Sequence, residues 1–108
     1  MENETAQSKP ISQLAAVLMS GAFAVAAEIS PPRGVNLDSI ARDARMLKGY
    51  ADAINVTDNQ AASVRMASIP VCALLIQHGI EPVSQMTCRD RNRLAIQADL
   101  LGASALGI

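Results

Sequence analysis

Apolar positions along this chain come in two forms, short unbroken runs and longer stretches spaced at three and four. Ala22 to Ala27 carries no polar side chain, which predicts a strand buried on both faces, and Pro31-Pro32 forces that strand to stop by Ser30. Leu37, Ile40, Ala41, Ala44 and Leu47 then recur at helical spacing, with Asn36 or Asp38 available as a start cap and Gly49 as a stop. Ala51 to Val56 reads as a second apolar strand. Ala61 to Ser68 reads as a turn or two of helix. Pro70 suits the first position of a new helix running through Leu74, Leu75 and Ile76 to Gly79. Pro82 to Thr87 gives a third strand. Asn92 to Leu101 gives a third crossover helix, capped by Asp90 or Asn92 and closed by Gly102, whose Leu94, Ile96, Ala98 and Leu101 are expected in the core. Ala105 to Ile108 reads as the beginning of a fourth strand. Ahead of all this, Ser12 to Met19 has one apolar stripe of Leu14, Val17 and Leu18 and is expected to be a short helix packed against the barrel bottom or a neighbouring strand, ended by Ser20-Gly21.

Strand starts near Ala22, Ala51, Pro82 and Ala105 recur at roughly the ~30-residue length of a strand-helix unit. Right-handed crossovers between such units give a parallel sheet. A closed eight-stranded barrel takes ~250 residues, so the expectation is an α/β fold: a parallel (β/α) barrel fragment with three βα units plus the start of strand 4. Residues 1–10, mostly polar, are expected to be a flexible amino terminus, and 11–108 the amino-terminal part of the barrel domain. Ile108 stops inside an apolar run, which predicts an unpaired strand edge there.

Composition narrows the function classes. Half of the 108 residues are apolar and the net charge is -1, which excludes a disordered chain and leaves no basic stripe. With one Tyr, one Phe and no Trp there is no platform for stacking bases, so nucleic acid is not an expected partner. Cys72 and Cys88 lack metal-ligand or disulfide-framework spacing, and the sole histidine, His78, precedes Gly79 at a helix end; no metal is expected, and a reducing cytoplasm fits. The apolar stretch from Ile11 to Ala27 follows Glu2 and Glu4 rather than a basic leader and is broken at Ser20-Gly21, so neither a secretory signal nor a membrane span is expected. Met46, Met66 and Met86 read as packing residues.

Candidate chemistry gathers where the strands end. Glu28 closes the first apolar run, at the edge of a parallel sheet where ligands bind. Backed by alanines and valine, it is expected to be partly desolvated and so able to hold a proton near neutral pH as a general acid; the plainer alternative is a helix cap or a partner of Arg33. The second strand delivers Thr57, Asp58, Asn59 and Gln60, which could hydrogen-bond a ligand or simply turn the chain. The third delivers Gln85 and Thr87, followed by Arg89, Asp90, Arg91 and Arg93, either an anion site or a capped helix start with solvated arginines. Cys88 reads as a packing thiol with nothing to activate it.

Three segments, LMSGAFAVAAEISPPRG, ADAINVTDNQAASVRMAS and EPVSQMTCRDRNRLAIQADLLGASALGI, strongly resemble the amino-terminal part of methylenetetrahydrofolate reductases. TCRDRNR with the helix and LLGASALGI after it is the most specific piece, and the acid before Pro-Pro-Arg-Gly the second. The resemblance implies a flavin-containing barrel that reduces 5,10-methylenetetrahydrofolate to 5-methyltetrahydrofolate in one-carbon and methionine metabolism. The electrons would come from NAD(P)H or another donor through FAD. It implies Glu28 as the acid that protonates the departing folate nitrogen, and Thr57, Asp58, Gln60, Gln85 and Thr87 as flavin contacts. Gln85 stands where well-studied members carry histidine. An aspartate in a Thr-Gly-Asp segment after the family's fourth strand lies beyond Ile108, so residues 1–108 alone are expected to be inactive. The alternative is a truncated, non-catalytic domain that pairs with another chain through an open strand edge. The resemblance leaves the electron donor and any homo-oligomer open.

Overall fold

A computed structural model describes residues 12–108; the flexible segment expected at 1–10 lies outside the described residues. In chain order the elements are α1 (Gln13–Met19), β1 (Ala26–Ile29), α2 (Asp38–Leu47), β2 (Ala53–Val56), a short 3-10 turn (Gln60–Ala62), α3 (Ser68–Gln77), β3 (Pro82–Ser84) and α4 (Arg93–Ala105). The three strands form one parallel sheet in the order β1-β2-β3, so β2 is central and each crossover carries a helix. This is an α/β fold of the kind expected, compatible with part of a barrel.

The register decides which side chains meet. Ala27 pairs with Ile54 and Ile29 with Val56. These alternate positions share a face, and on it Ile29, Ile54 and Val56 pack with Ile40 and Ala44 of α2, Val71, Cys72 and Leu75 of α3, and Ile80. Burying each of the larger side chains contributes about 1.5–3 kcal/mol, so this layer holds the sheet to its helices. The other row runs Glu28, Asn55, Val83 across the strands, and Ala26 and Glu28 on it are exposed.

Local signals explain most boundaries. Ser12 caps α1 by accepting from the Ala15 N–H, and Glu81, just ahead of β3, accepts from the Gln13 and Leu14 N–H groups at 2.8 Å each. That places α1 at the amino-terminal edge of the sheet. Asn36 accepts from the Asp38 N–H at 2.9 Å and starts α2. α3 begins at Ser68, two residues before Pro70; its first turn accepts proline because an N–H there has no helical partner. Its end is a Schellman turn, with Gly79 at φ +73°, Gly79 N–H donating to Ile76 O and Ile80 N–H to Leu75 O.

Four expectations are corrected. Ala22 to Val25 lies before β1 and is largely exposed, with Phe23 90% exposed, so this run is not a strand buried on both faces. β3 stops at Ser84 rather than Thr87. Ala105 to Ile108 is no strand: α4 runs through Gly102 to Ala105 and closes at Gly107 (φ +81°), with Gly107 N–H donating to Ser104 O and Ile108 N–H to Ala103 O. The free strand edge expected at Ala105 to Ile108 is not there; the open edges of the described sheet are β1 and β3. Finally, Leu94, Ala98 and Leu101 are exposed and α4 buries only Ala103, because the described sheet ends at β3 and offers no further strand for this helix to cover.

Candidate functional site

The carboxyl ends of β1, β2 and β3 bring the candidate residues to one edge. Backbone pairing continues past the strands, with Thr57 N–H donating to Ile29 O and Gln85 N–H to Val56 O, both at 3.1 Å. The three loops therefore leave the sheet in register.

Glu28 stands in β1 opposite Asn55. Beside β1, a depression of about 370 Å³ is bounded by Glu28, Ile29 and Ser30 with Asp43, Met46 and Leu47 of α2. Glu28 is exposed, which corrects the expected desolvation. β1 is an edge strand and its inner row is uncovered, so the preceding alanines and valine do not shield the carboxylate. Among the described residues Glu28 has no ion-pair or side-chain hydrogen-bond partner, Arg33 included.

The loop after β2 is built from two hydrogen-bond systems. In the first, buried Thr57 donates its Oγ1 hydroxyl to Gln60 Oε1 at 2.8 Å, and Gln60 Nε2 donates to Ser30 Oγ at 2.9 Å. This neutral chain ties the loop after β2 to the loop after β1. Next to it the backbone enters the left-handed region at three non-glycine residues, Asn59 (φ 46°), Ala61 (φ 57°) and Ala62 (φ 56°). Such residues cost on the order of 1 kcal/mol each and persist where neighbours hold them. Asn59 is held twice: its Oδ1 accepts from the Arg65 N–H at 2.8 Å and its carbonyl from Arg89 Nη2 at 3.2 Å. Arg65 reaches on to Pro31 O at 3.0 Å, and its buried Nε has no partner among the described residues.

The second system centres on Asp58, whose side chain is 0% exposed. Its Oδ2 accepts from Thr87 N–H at 2.7 Å, Thr87 Oγ1 at 3.1 Å and Arg91 Nη1 at 2.6 Å, and its Oδ1 from Arg91 Nη2 at 3.3 Å. Arg91 also donates Nη1 to Thr87 O at 2.7 Å and Nε to Asp99 Oδ2 at 3.1 Å. Arg91's hydrogen bonds, helped by those from Thr87, hold the Asp58 carboxyl below the usual carboxylate range despite its burial, and the same pairing raises Arg91. The site thus contains an ion pair between Asp58 and Arg91, 33 residues apart in the chain.

The structure joins Thr57 to Gln60 and Asp58 to Thr87; Gln85 is exposed and, like Glu28, makes no side-chain hydrogen bond among the described residues. In the charged cluster, Asn92 caps α4 by accepting from the Ala95 N–H at 2.9 Å, while Asp90 pairs with Arg89 on the surface. Asp99 escaped the sequence reading; its only signal is its place eight residues after Arg91, on the helix that Asn92 starts. Elsewhere, burial pushes the Cys72 thiol up despite its hydrogen bond with Ser68, and a depression of about 320 Å³ lined by Lys48, Tyr50, Asp52 and Glu81 lies at the opposite edge of the sheet. Among the described residues no three His, Cys, Asp or Glu side chains gather as metal ligands, and no helix is long and apolar enough to cross a membrane.

No curated protein and no solved structure matches this chain. A family model, described as methylenetetrahydrofolate reductase, matches residues 12–108, the whole of the described structure. With the parallel strands, the acid at the end of the first and the polar loops beside it, the chain belongs to the methylenetetrahydrofolate reductase family.

Proposed function

We propose that this chain forms part of a flavin-dependent reductase that converts 5,10-methylenetetrahydrofolate to 5-methyltetrahydrofolate, with NAD(P)H or another donor as the electron source. The observation that carries the reading is the family match over residues 12–108 with Glu28 at the carboxyl end of β1, exposed and unpaired among the described residues. A general acid has to reach its substrate, and a carboxylate already committed to an ion pair could not give up a proton as readily.

The donor set suits FAD. Ser30, Thr57 and Gln60 form a neutral chain of hydroxyl and amide groups, and Gln85 adds an amide with no side-chain partner among the described residues. Groups of that kind match the carbonyls, ring nitrogens and ribityl hydroxyls of a flavin. Thr57, Gln60, Gln85 and Thr87, with Asp58 behind them, would hold it; bound there and reduced by the donor, the flavin would supply the hydride that reduces the folate's one-carbon unit. Glu28 would give a proton to the folate nitrogen as the bridging C–N bond breaks. A substrate lying over the row of Glu28, Asn55 and Val83 would displace water from that carboxyl group. The exposed apolar side chains of α4 support further strands completing a barrel around this edge.

The test uses the product of the complete reading frame. It should take up FAD with a protein-bound flavin spectrum, and methylenetetrahydrofolate should reoxidise the reduced flavin; failure of both would sink the reductase reading. Glu28→Gln should leave flavin reduction by the donor within about twofold while slowing the folate half-reaction by about 10²- to 10⁴-fold. Equal loss of both half-reactions would remove Glu28 from the role of proton donor.

A further inference from the structure

We propose that Asp58 and Arg91 are positioning residues: a clasp that fixes the loop after β2 against the loop after β3, so that Thr57, Gln60 and Gln85 meet the flavin while Asp58 itself does not. The inference rests on the flavin reading above and changes the part that Asp58, Thr87 and Arg91 play in it.

Saturation is the first argument. An ionised carboxylate has about four acceptor directions, and Asp58 receives four donated hydrogen bonds, two from Thr87 and two from Arg91. Three of these fall on Oδ2 and one on Oδ1, and with the side chain 0% exposed neither oxygen faces the surface where a ligand would lie. Thr87 is used almost as fully, since its N–H and hydroxyl go to Asp58 and its carbonyl to Arg91. Asp99 on α4 then braces the guanidinium through Nε. One arginine therefore holds the loop after β2, the loop after β3 and the helix that follows.

Placement is the second. Thr57 directly precedes Asp58, and the left-handed turn at Asn59, Ala61 and Ala62 directly follows it. The chain from Thr57 through Gln60 to Ser30 spans that turn, so releasing Asp58 lets the turn relax and carries Gln60 away from Ser30. Gln85, two residues before Thr87, loses its anchor at the same time. Lysine cannot replace Arg91, because one ammonium cannot bridge both Asp58 oxygens and also reach Asp99.

The test is a double-mutant cycle in the product of the complete reading frame, reading FAD affinity by quenching of flavin fluorescence. Arg91→Ala should weaken FAD by about tenfold, Arg91→Lys should recover little of it, and Asp58→Asn added to Arg91→Ala should weaken it no further. If the two effects multiply, Asp58 touches the flavin directly and the clasp is overturned; an unchanged affinity in Arg91→Ala overturns it too. Amide exchange without FAD decides the clasp separately. The Thr87 N–H should exchange about tenfold faster in both single variants while the Ile54 N–H, which donates to Glu81 O in the sheet, stays protected. A Thr87 amide that does not speed up refutes the clasp. A wild-type protein that binds no FAD refutes the flavin reading, and the exchange result then still stands or falls alone. Should Arg91→Ala fail to fold, Asp99→Asn, at a half-buried residue that only braces Arg91, should weaken FAD by about threefold, and no change there counts against the proposal.

Discussion

Two carboxylates at the same edge of the sheet meet opposite treatment. Glu28 faces solvent without a partner among the described residues, whereas Asp58 is sealed beneath Thr87 and Arg91. Asp58 is held below the usual carboxylate range chiefly by Arg91, so it binds protons less readily folded than unfolded. The unfolded chain then takes up more protons, and stability rises with pH through that range. The contribution is full above the unfolded carboxylate value of about 4 and is lost as pH falls below it. Thermal unfolding followed from pH 6 down to acid should show this loss, and Asp58→Asn should flatten that segment; an unaltered acid limb in the variant would refute the assignment. A second residue-scale prediction concerns the thiols. Cys72 is buried among Ser68, Val71 and Leu75 with its thiol pushed up by that burial, and Cys88 is exposed. A disulfide reagent should label Cys88 fast in the native protein and Cys72 only as it unfolds. Rapid labelling of both would show that the layer between sheet and helices is open.

At the scale of elements, the hydrogen bonds that fix most helix ends are local, and α1 adds to its own cap a carboxylate from far along the chain. This helix is seven residues long, buries none of them fully, and is anchored by Glu81 across 67 or 68 positions. An isolated helix of that length is unstable in water, so Glu81→Ala should free the Gln13 and Leu14 amides to exchange at nearly unprotected rates while β2 stays protected. Persistent protection there would mean that packing, not the carboxylate, holds α1. The same contrast shows why some of the fold was legible in the sequence and some was not. The spacing of Ile40 and Ala44 identified α2 because those residues are its buried stripe. Ala105-Leu106-Gly107-Ile108 misled because a short apolar run ahead of a glycine fits a strand start and a Schellman turn equally. The chain had already used that turn at His78-Gly79-Ile80, where the same pair of hydrogen bonds closes α3. Gly102 looked like a stop, yet an interior glycine costs only about 1 kcal/mol and α4 runs through it. At the site, Glu28 and the loop residues could be found because they follow apolar runs. The pairing of Asp58 with Arg91 could not, because it exists only once β2 and β3 are in register.

Over the whole molecule, the apolar residues left outside the core set its behaviour in solution. Leu94 and Leu101 of α4 are each 74% exposed, and Phe23, Val35 and Val64 are more exposed still. Exposed leucines seven residues apart share a face of α4, and an uncovered apolar helix face favours association. Residues 1–108 prepared alone should therefore bind a hydrophobic dye and sediment as more than a monomer at micromolar concentration. Replacing both Leu94 and Leu101 by Gln should reduce the association without altering the far-ultraviolet circular dichroism, since α4 contributes only Ala103 to the buried set. Leu75→Ala should do the reverse. That side chain is fully buried between α3 and the sheet, so its loss should cost about 2–5 kcal/mol of stability and leave the exposed helix face as it was. The two variants separate the layer that makes the fold from the surface that further strands would cover. If the Gln pair destabilised the chain as much as Leu75→Ala, α4 would have to be packed in solution. If the polypeptide sedimented as a dye-free monomer, its apolar surface would already be satisfied, and a barrel completed around this edge would lose its main support.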